Sequence, residues 1–158
     1  MAGGTMGWFT YQNYKKAFFD PANSREVAYI QRLSQARIAG KAWMVHGRAT
    51  RTLQLNDPTS ALLGQCFLRD KENESHSVVC AVALPTASPA AATYTLSMIP
   101  AKYGLTTPVG SRVFVTDLVT GASLGSYAPA LPVTYSSSVP AFGVQLLKLT
   151  VELQSLPL

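Results

Sequence analysis

Residues 61–84, ALLGQCFLRDKENESHSVVCAVAL, decide the fold of this chain. Two apolar runs, 61–69 and 77–84, flank the polar loop 70–75. Short apolar runs that are bounded by a polar loop are typical of two adjacent β-strands. We therefore predict an antiparallel hairpin with its tip near Asn73.

The two cysteines of the chain, Cys66 and Cys80, lie at equal distances from Asn73. A hairpin folded symmetrically about Asn73 places them opposite each other, with Cα atoms about 4.5–5.5 Å apart. That separation is within the range that a disulfide needs. A bulge or a register slip of one residue would abolish the pairing, and two buried thiols are the alternative. We favour the disulfide, given an oxidising compartment.

The loop between the cysteines carries the triplet Asn73-Glu74-Ser75, which is an N-glycosylation sequon without proline in the middle. Asn73 is therefore a candidate glycosylation site on an exposed tip. Because disulfides and N-glycans both belong to the secretory route, we expect an extracellular glycoprotein that is secreted or resides in the secretory pathway. The uncharged stretch 75–101 contains three prolines, so we expect no membrane span.

Residues 48–158 are expected to form an antiparallel β-sandwich. Gly, Pro and Ser separate short segments of strand-like composition, which is typical of a sandwich and not of a parallel βαβ sheet. Beyond the hairpin, strands are predicted at 50–55, 93–98, 112–118, 131–136 and 142–153. The last of these alternates Val144, Leu146 and Leu149 with polar residues, and Leu147 interrupts the alternation.

Residues 1–47 are expected to comprise an aromatic-rich segment and one amphipathic α-helix. Asp20 and Pro21 suit the N-cap and the first helical position, and Gly47 suits a left-handed C-cap after His46. The apolar positions of the helix are Val27, Ile30, Leu33 and Ile38. The predicted fold class is therefore mainly β, an antiparallel sandwich preceded by an N-terminal helix.

Charge is scarce and unevenly placed. Charged residues form 13% of the chain, the net charge is +5, and the basic residues are spread and not clustered with aromatics. We expect no nucleic-acid partner on this basis. Only five charged residues lie in 81–158, which is consistent with a surface covered by a partner domain, another copy or a glycan. An ordinary sandwich faced with Ser and Thr is the alternative.

No arrangement of residues predicts catalysis. Glycoside hydrolysis generally needs two carboxylates that flank one bond, and most acidic residues here suit a helix cap, a turn or a loop. No nucleophile elbow, phosphate loop or zinc signature occurs, so we expect no catalytic residue, no metal site and no cofactor.

Aromatic side chains are candidates for contact with sugar, because a flat ring can cover the apolar face of a pyranose. The candidates are Trp8, Tyr11, Tyr14 and Trp43. Packing between the helix and the sandwich explains them equally well.

Two stretches carry a resemblance to known proteins. Residues 113–125, VFVTDLVTGASLG, and 139–149, VPAFGVQLLKL, resemble the C-terminal β-sandwich of α-galactosidase-type and related glycoside hydrolases. Asp20-Pro21, Tyr29, Arg37 and His46-Gly47-Arg48 are similar to the closing segment of barrel glycosidases. The resemblance implies a last barrel helix followed by an accessory sandwich. The family's catalytic Asp residues lie on barrel strands outside this stretch, so none can be carried over.

The leading hypothesis is thus a non-catalytic accessory domain of a glycoside-hydrolase-like protein, with a barrel domain or other copies of the chain as partners. Two other classes stay open. One is a self-assembling structural or adhesive extracellular module, and the other is a carbohydrate-binding module with a glycan as its ligand.

Overall fold

The elements of the fold follow the predicted order of one helical region and then strands. A computed structural model describes residues 21–56, 62–69, 77–84, 90–129, 132–141 and 143–153. A 3-10 turn, Pro21–Asn23, leads into helices α1, Ser24–Ala39, and α2, Lys41–Met44, and a second 3-10 turn spans Pro100–Tyr103. The strands are β1 Arg48–Thr52, β2 Leu55–Asn56, β3 Leu63–Leu68, β4 Ser77–Ala83, β5 Ala92–Met98, β6 Ser111–Asp117, β7 Ser123–Tyr127, β8 Val133–Val139 and β9 Val144–Leu153.

The strands form two antiparallel sheets. The larger sheet has six strands in the order β1-β3-β4-β9-β6-β7, and the smaller has three in the order β2-β5-β8. The last strand of the chain, β9, thus lies between β4 and β6. This arrangement confirms the predicted antiparallel β-sandwich preceded by a helix.

Two apolar cores give the molecule three layers. The larger core lies between the two sheets and includes the inward side chains of β4, β5 and β9. The smaller core lies between the helices and the outer face of the six-stranded sheet, where Ala36, Trp43 and Met44 pack on Phe67, Val79 and Leu146. Leu146 and Leu147 are both fully buried, on opposite faces of β9. The alternation of β9 fails at Leu147 because the helical layer covers the face that a two-layer sandwich would leave in water.

The hairpin predicted at 61–84 forms as β3 and β4. The two strands pair without a shift from Leu63 opposite Ala83 to Leu68 opposite Val78, and Cys66 lies directly opposite Cys80. The cysteines form a disulfide with a Cα–Cα distance of 4.0 Å, and both are fully buried. The predicted pairing is therefore confirmed, with the disulfide inside the core between the sheets.

The helical region departs from the prediction at three residues. Gly40, with φ −87° and ψ 6°, separates α1 from α2. Ile38 is 74% exposed and lies outside both cores, so its placement on the apolar face was wrong. Gly47 does not have a positive φ. A Cβ at this position would overlap the carbonyl oxygens of Leu68 and Trp43, so glycine is required there for close approach of two backbones and not for a left-handed cap.

The segment predicted as one strand over 50–55 belongs to two sheets. β1 pairs with β3 in the larger sheet, whereas β2 pairs with β5 in the smaller one. Leu53 lies between them, is 3% exposed, and its N–H donates to the carbonyl of Gly64. The chain therefore crosses between the sheets at the buried Leu53. The sequence pattern does not reveal this crossing, because polar and apolar residues alternate without interruption from the end of β1 through β2.

A buried tyrosine joins the two sheets. The hydroxyl of Tyr94, on β5, donates to Oε1 of Gln145, on β9, at 2.5 Å. Tyr94 is 2% exposed. Burial is the main reason that the pKa of its hydroxyl lies far above the ordinary value, and the electrostatic effect of Tyr135 raises this pKa further. The neutral hydroxyl is thus the form that the folded state favours.

Removal of the disulfide should lower stability. We expect the double variant Cys66→Ala/Cys80→Ala to lose about 3 kcal/mol of unfolding free energy, since the closed loop of about 15 residues restricts the unfolded chain. Urea denaturation of the variant and of the oxidised wild type measures this. Equal midpoints for both proteins would contradict the prediction.

Stability should fall at alkaline pH through Tyr94. Its hydroxyl titrates near pH 10 in the unfolded chain but at higher pH in the folded protein. The stabilisation by the neutral hydroxyl is therefore complete below about pH 10 and is lost as the pH rises toward the folded pKa. Unfolding free energies measured from pH 8 to 12 should fall less steeply in Tyr94→Phe than in wild type. A slope that is unchanged by this substitution would show that other groups account for the dependence.

Candidate functional site

An apolar cleft lies between α1 and the outer face of the six-stranded sheet. Its volume is about 350 Å³, which is at the lower end of the range for small-ligand pockets. Six strands spaced about 4.8 Å apart make a sheet about 24 Å across, whereas one helix with its side chains is about 10–12 Å wide. Among the residues that the structure describes, the helices therefore leave part of this face uncovered, and the cleft lies there.

Residues from α1, α2 and four strands line the cleft. Tyr29, Leu33 and Ala36 form the helical wall, and Phe67, Ala81 and Leu146 form the floor. At the rim stands Leu63, on β3, which is 60% exposed. The lining residues with polar side-chain groups are Tyr29, Thr52 and Gln65. The lining thus suits an apolar side chain or ridge more than a polar small molecule.

Tyr29 joins the helix to the sheet at one end of the cleft. Its hydroxyl donates to the carbonyl oxygen of Leu84 at 2.6 Å. Partial burial raises the pKa of this hydroxyl, so it is a neutral donor at physiological pH. The bond satisfies a carbonyl that follows the last residue of β4, where sheet pairing has ended.

Exposed apolar residues gather on the same side of the molecule. Ile38 on α1 is 74% exposed, and Val119 is 48% exposed in the turn after β6. Val119 borders a second cleft that it shares with Arg32 and Gln35 of α1. Leu63, Ile38 and Val119 thus lie on α1 or at the clefts beside it.

The helix also concentrates positive charge. Arg25, Arg32 and Arg37 lie on α1 and Lys41 begins α2, whereas Glu26 is the acidic residue of this stretch. The Arg32 guanidinium donates to the carbonyl of Ala141, which fastens α1 to the turn before β9. A partner for this side should therefore present acidic groups around an apolar ridge.

Trp43 is the one candidate for sugar stacking that falls among the described residues. It is 9% exposed, and its indole N–H donates to the Ser77 hydroxyl at 3.1 Å. The Lys148 ammonium lies 5.4 Å from the ring centroid, which is a cation–π distance. A sugar could stack on this face only after Lys148 moved away, and stacking at Trp43 stays a prediction. Trp8, Tyr11, Tyr14 and the sequon residue Asn73 lie outside the described residues.

The residues that carry the family resemblance build a turn and a core strand. Oδ1 of Asp117 accepts hydrogen bonds from the N–H groups of Val119 and Thr120, both at 2.9 Å. Gly121 has φ +75°, and its N–H donates to the Asp117 carbonyl at 2.8 Å. Asp117 therefore has the turn role predicted for it, and its carboxylate is occupied in holding the β6–β7 connection.

Titratable groups do not converge within the part of the chain that the structure describes. Its carboxylates are Glu26, Asp117 and Glu152, on α1, at the end of β6 and on β9. No group of three or more His, Cys, Asp or Glu suited to a metal occurs there. Among the same residues, no helix is long and apolar enough to cross a membrane.

Sequence reasoning did not identify the cleft. Leu63 and Ala81 read as ordinary strand residues, and Tyr29 was noted only for the resemblance. The one local signal is Gly64, where a Cβ would come within 2.8 Å of the Leu53 Cβ. That signal reports the crossing of the chain between sheets and not the space above β3.

Comparison with known proteins gives partial matches to solved structures. No protein-family model matches the chain, and no curated protein sequence matches it. A candidate alpha-N-acetylgalactosaminidase from Bacillus halodurans is 13% identical with a TM-score of 0.40 over 67% of this chain. Alpha-galactosidase I from Mortierella vinacea is 22% identical with a TM-score of 0.38 over 81% of it. The matches cover 20% and 26% of those two chains, so this chain spans about a quarter or less of either.

Loss of the Tyr29 hydroxyl should loosen the helical layer. We expect Tyr29→Phe to lower the unfolding free energy by about 1 kcal/mol, because the Leu84 carbonyl loses its donor. Tyr127→Phe is the matched control, since Tyr127 is half-buried against the other core. Thermal or urea unfolding measures both variants, and equal losses would contradict a specific role for Tyr29.

Proposed function

We propose that this chain is a non-catalytic accessory domain of a glycoside-hydrolase-like protein, and that the side carrying α1 packs against a barrel domain. The observation that carries the proposal is the apolar cleft beside α1, which has the exposed Leu63 at its rim, together with the exposed Ile38 on α1 itself. A surface of this kind gains stability when an apolar ridge fills it and water leaves.

The sequence resemblance supports the choice of partner. It relates motifs within residues 20–48 to the end of a barrel, and residues 113–125 and 139–149 to the sandwich that follows one. In this arrangement α1 lies between two bodies, with one face on the sheet and the other toward the barrel. Its basic residues would then meet acidic groups of the barrel surface.

The disulfide supports a location of the protein in an oxidising compartment. Cys66 and Cys80 are bonded inside the core, and such bonds persist in oxidising environments. We propose that the protein is secreted or passes through the secretory pathway. A glycan on Asn73 would be consistent with the same route.

The docking surface can be tested with the full-length native protein and with the separate 158-residue chain. If the full-length protein contains a barrel, the barrel expressed alone should bind the 158-residue chain. Ile38→Glu should weaken this binding about tenfold or more, since it places a charge at an apolar contact. Val109→Glu is the matched control, because Val109 is fully exposed and lies outside α1 and the cleft.

Two results would overturn the proposal. One is turnover of p-nitrophenyl α-galactoside or α-N-acetylgalactosaminide by the purified chain alone. The other is an intact mass of the native protein that is too small to include a barrel. An equal effect of Ile38→Glu and Val109→Glu would place the contact elsewhere than the side carrying α1.

A further inference from the structure

The edges of the two sheets are protected to very different degrees. An edge strand exposes unpaired N–H and C=O groups, and proteins usually blunt it with charge, proline, bulges or short length. β1 carries Arg48 and Arg51 and a register shift between Ala49 and Thr52. β7 has a register shift against β6 and Gly125 at φ +139°. β2 is two residues long.

β8 has none of these devices along its length. It is seven residues long, VTYSSSV, and contains no charged residue or proline. All seven residues pair with β5 without a shift, from Val133 opposite Met98 to Val139 opposite Ala92. Among the described residues no strand pairs with its other edge. Pro132 and Pro140 stand immediately outside it, so prolines limit the open edge at its ends and leave the middle free.

The two faces of β8 are sharply different. Val133 and Val139 are fully buried in the core between the sheets. Thr134, Ser136 and Ser138 point outward and are exposed, and Ser136 shares a hydrogen bond of 2.8 Å with Thr95 of β5. The outer face is thus covered by hydroxyl groups, which can donate or accept with equal ease.

The strand is complementary to itself. If two copies of β8 run antiparallel with Ser136 on the two-fold axis, Thr134 faces Ser138 and Val133 faces Val139 of the other copy. Hydroxyl groups then meet hydroxyl groups on the outside, whereas on the core side Val133 is opposite Val139 and the half-buried Tyr135 is opposite Ser137. Like charges, which destabilise directly opposed positions, do not occur in this pairing.

We propose that two copies of this chain pair along β8 and join their three-stranded sheets into one continuous sheet. The choice of a second copy rests on the two-fold match of the strand and on charge. The chain carries a net charge of +5, so two copies repel, but no charged residue lies on β2, β5 or β8. No charges are therefore directly opposed along the paired strands, and the nearest cations lie at the two ends of β8, where Arg32 shares a cleft with Ser138 and Lys102 shares one with Pro132. The pairing uses the backbone edge of β8 and not the cleft beside α1, so it does not depend on the barrel contact proposed above.

Sedimentation velocity of the full 158-residue chain tests this pairing. A single strand pair buries less surface than a standard interface, so we expect a reversible dimer whose population rises with protein concentration. Ser136→Lys should weaken the dimer about fivefold or more, because it opposes two ammonium groups across the axis. Thr93→Lys is the matched control, since Thr93 is exposed on the same face but lies on β5, one strand away from the seam.

A mixing experiment separates pairing from misfolding. Ser136→Lys and Ser136→Glu should each be mainly monomeric, and an equimolar mixture should dimerise at least as well as wild type. Amide hydrogens of β8 should also exchange more slowly at high than at low concentration of wild type. A mass that stays monomeric up to millimolar concentration overturns the proposal, and so does a dimer whose β8 amides gain no protection. Failure of the mixture to dimerise overturns the register centred on Ser136.

Discussion

Burial of β4 and β9 on both faces is the constraint on which the rest of the structure depends. Val78, Val79, Leu146 and Leu147 are all fully buried, and their side chains alternate between the core inside the sandwich and the core under the helices. A strand that is apolar on both faces needs a cover on each side. The small sheet supplies one cover and the helices supply the other, so the three layers follow from the composition of two adjacent strands.

The disulfide acts on this same central element. It joins β4 to β3 inside the core between the sheets. The hairpin that it closes is local, so pairing β3 with β4 costs less chain entropy than pairing β4 with β9, which lies far along the chain. Among the described residues, the helices cover only part of the outer face of the six-stranded sheet, because a helix is narrower than six strands. The cleft beside α1 is the consequence of that mismatch, and the proposed barrel contact would complete the cover.

Charge separates the two surfaces that we assign to partners. The side carrying α1 combines apolar residues with several cations, which favours a partner with acidic groups. The three-stranded sheet on the opposite side carries hydroxyl groups and no charge, which favours an identical partner over a charged one. The outer face and open edge of the small sheet thus account for part of the low charge in the second half of the chain.

The sequence by itself determined the elements that depend on near neighbours. The β3–β4 hairpin, the pairing of Cys66 with Cys80 and the turn at Asp117 follow from local symmetry and turn chemistry. Only the tertiary structure decided the features that join distant residues: the exposure of Ile38, the crossing between sheets at Leu53, the close approach at Gly47, the cleft and the open edge of β8. Each of these depends on which surface meets which, and a pattern along one segment carries no information about the surface that will cover it.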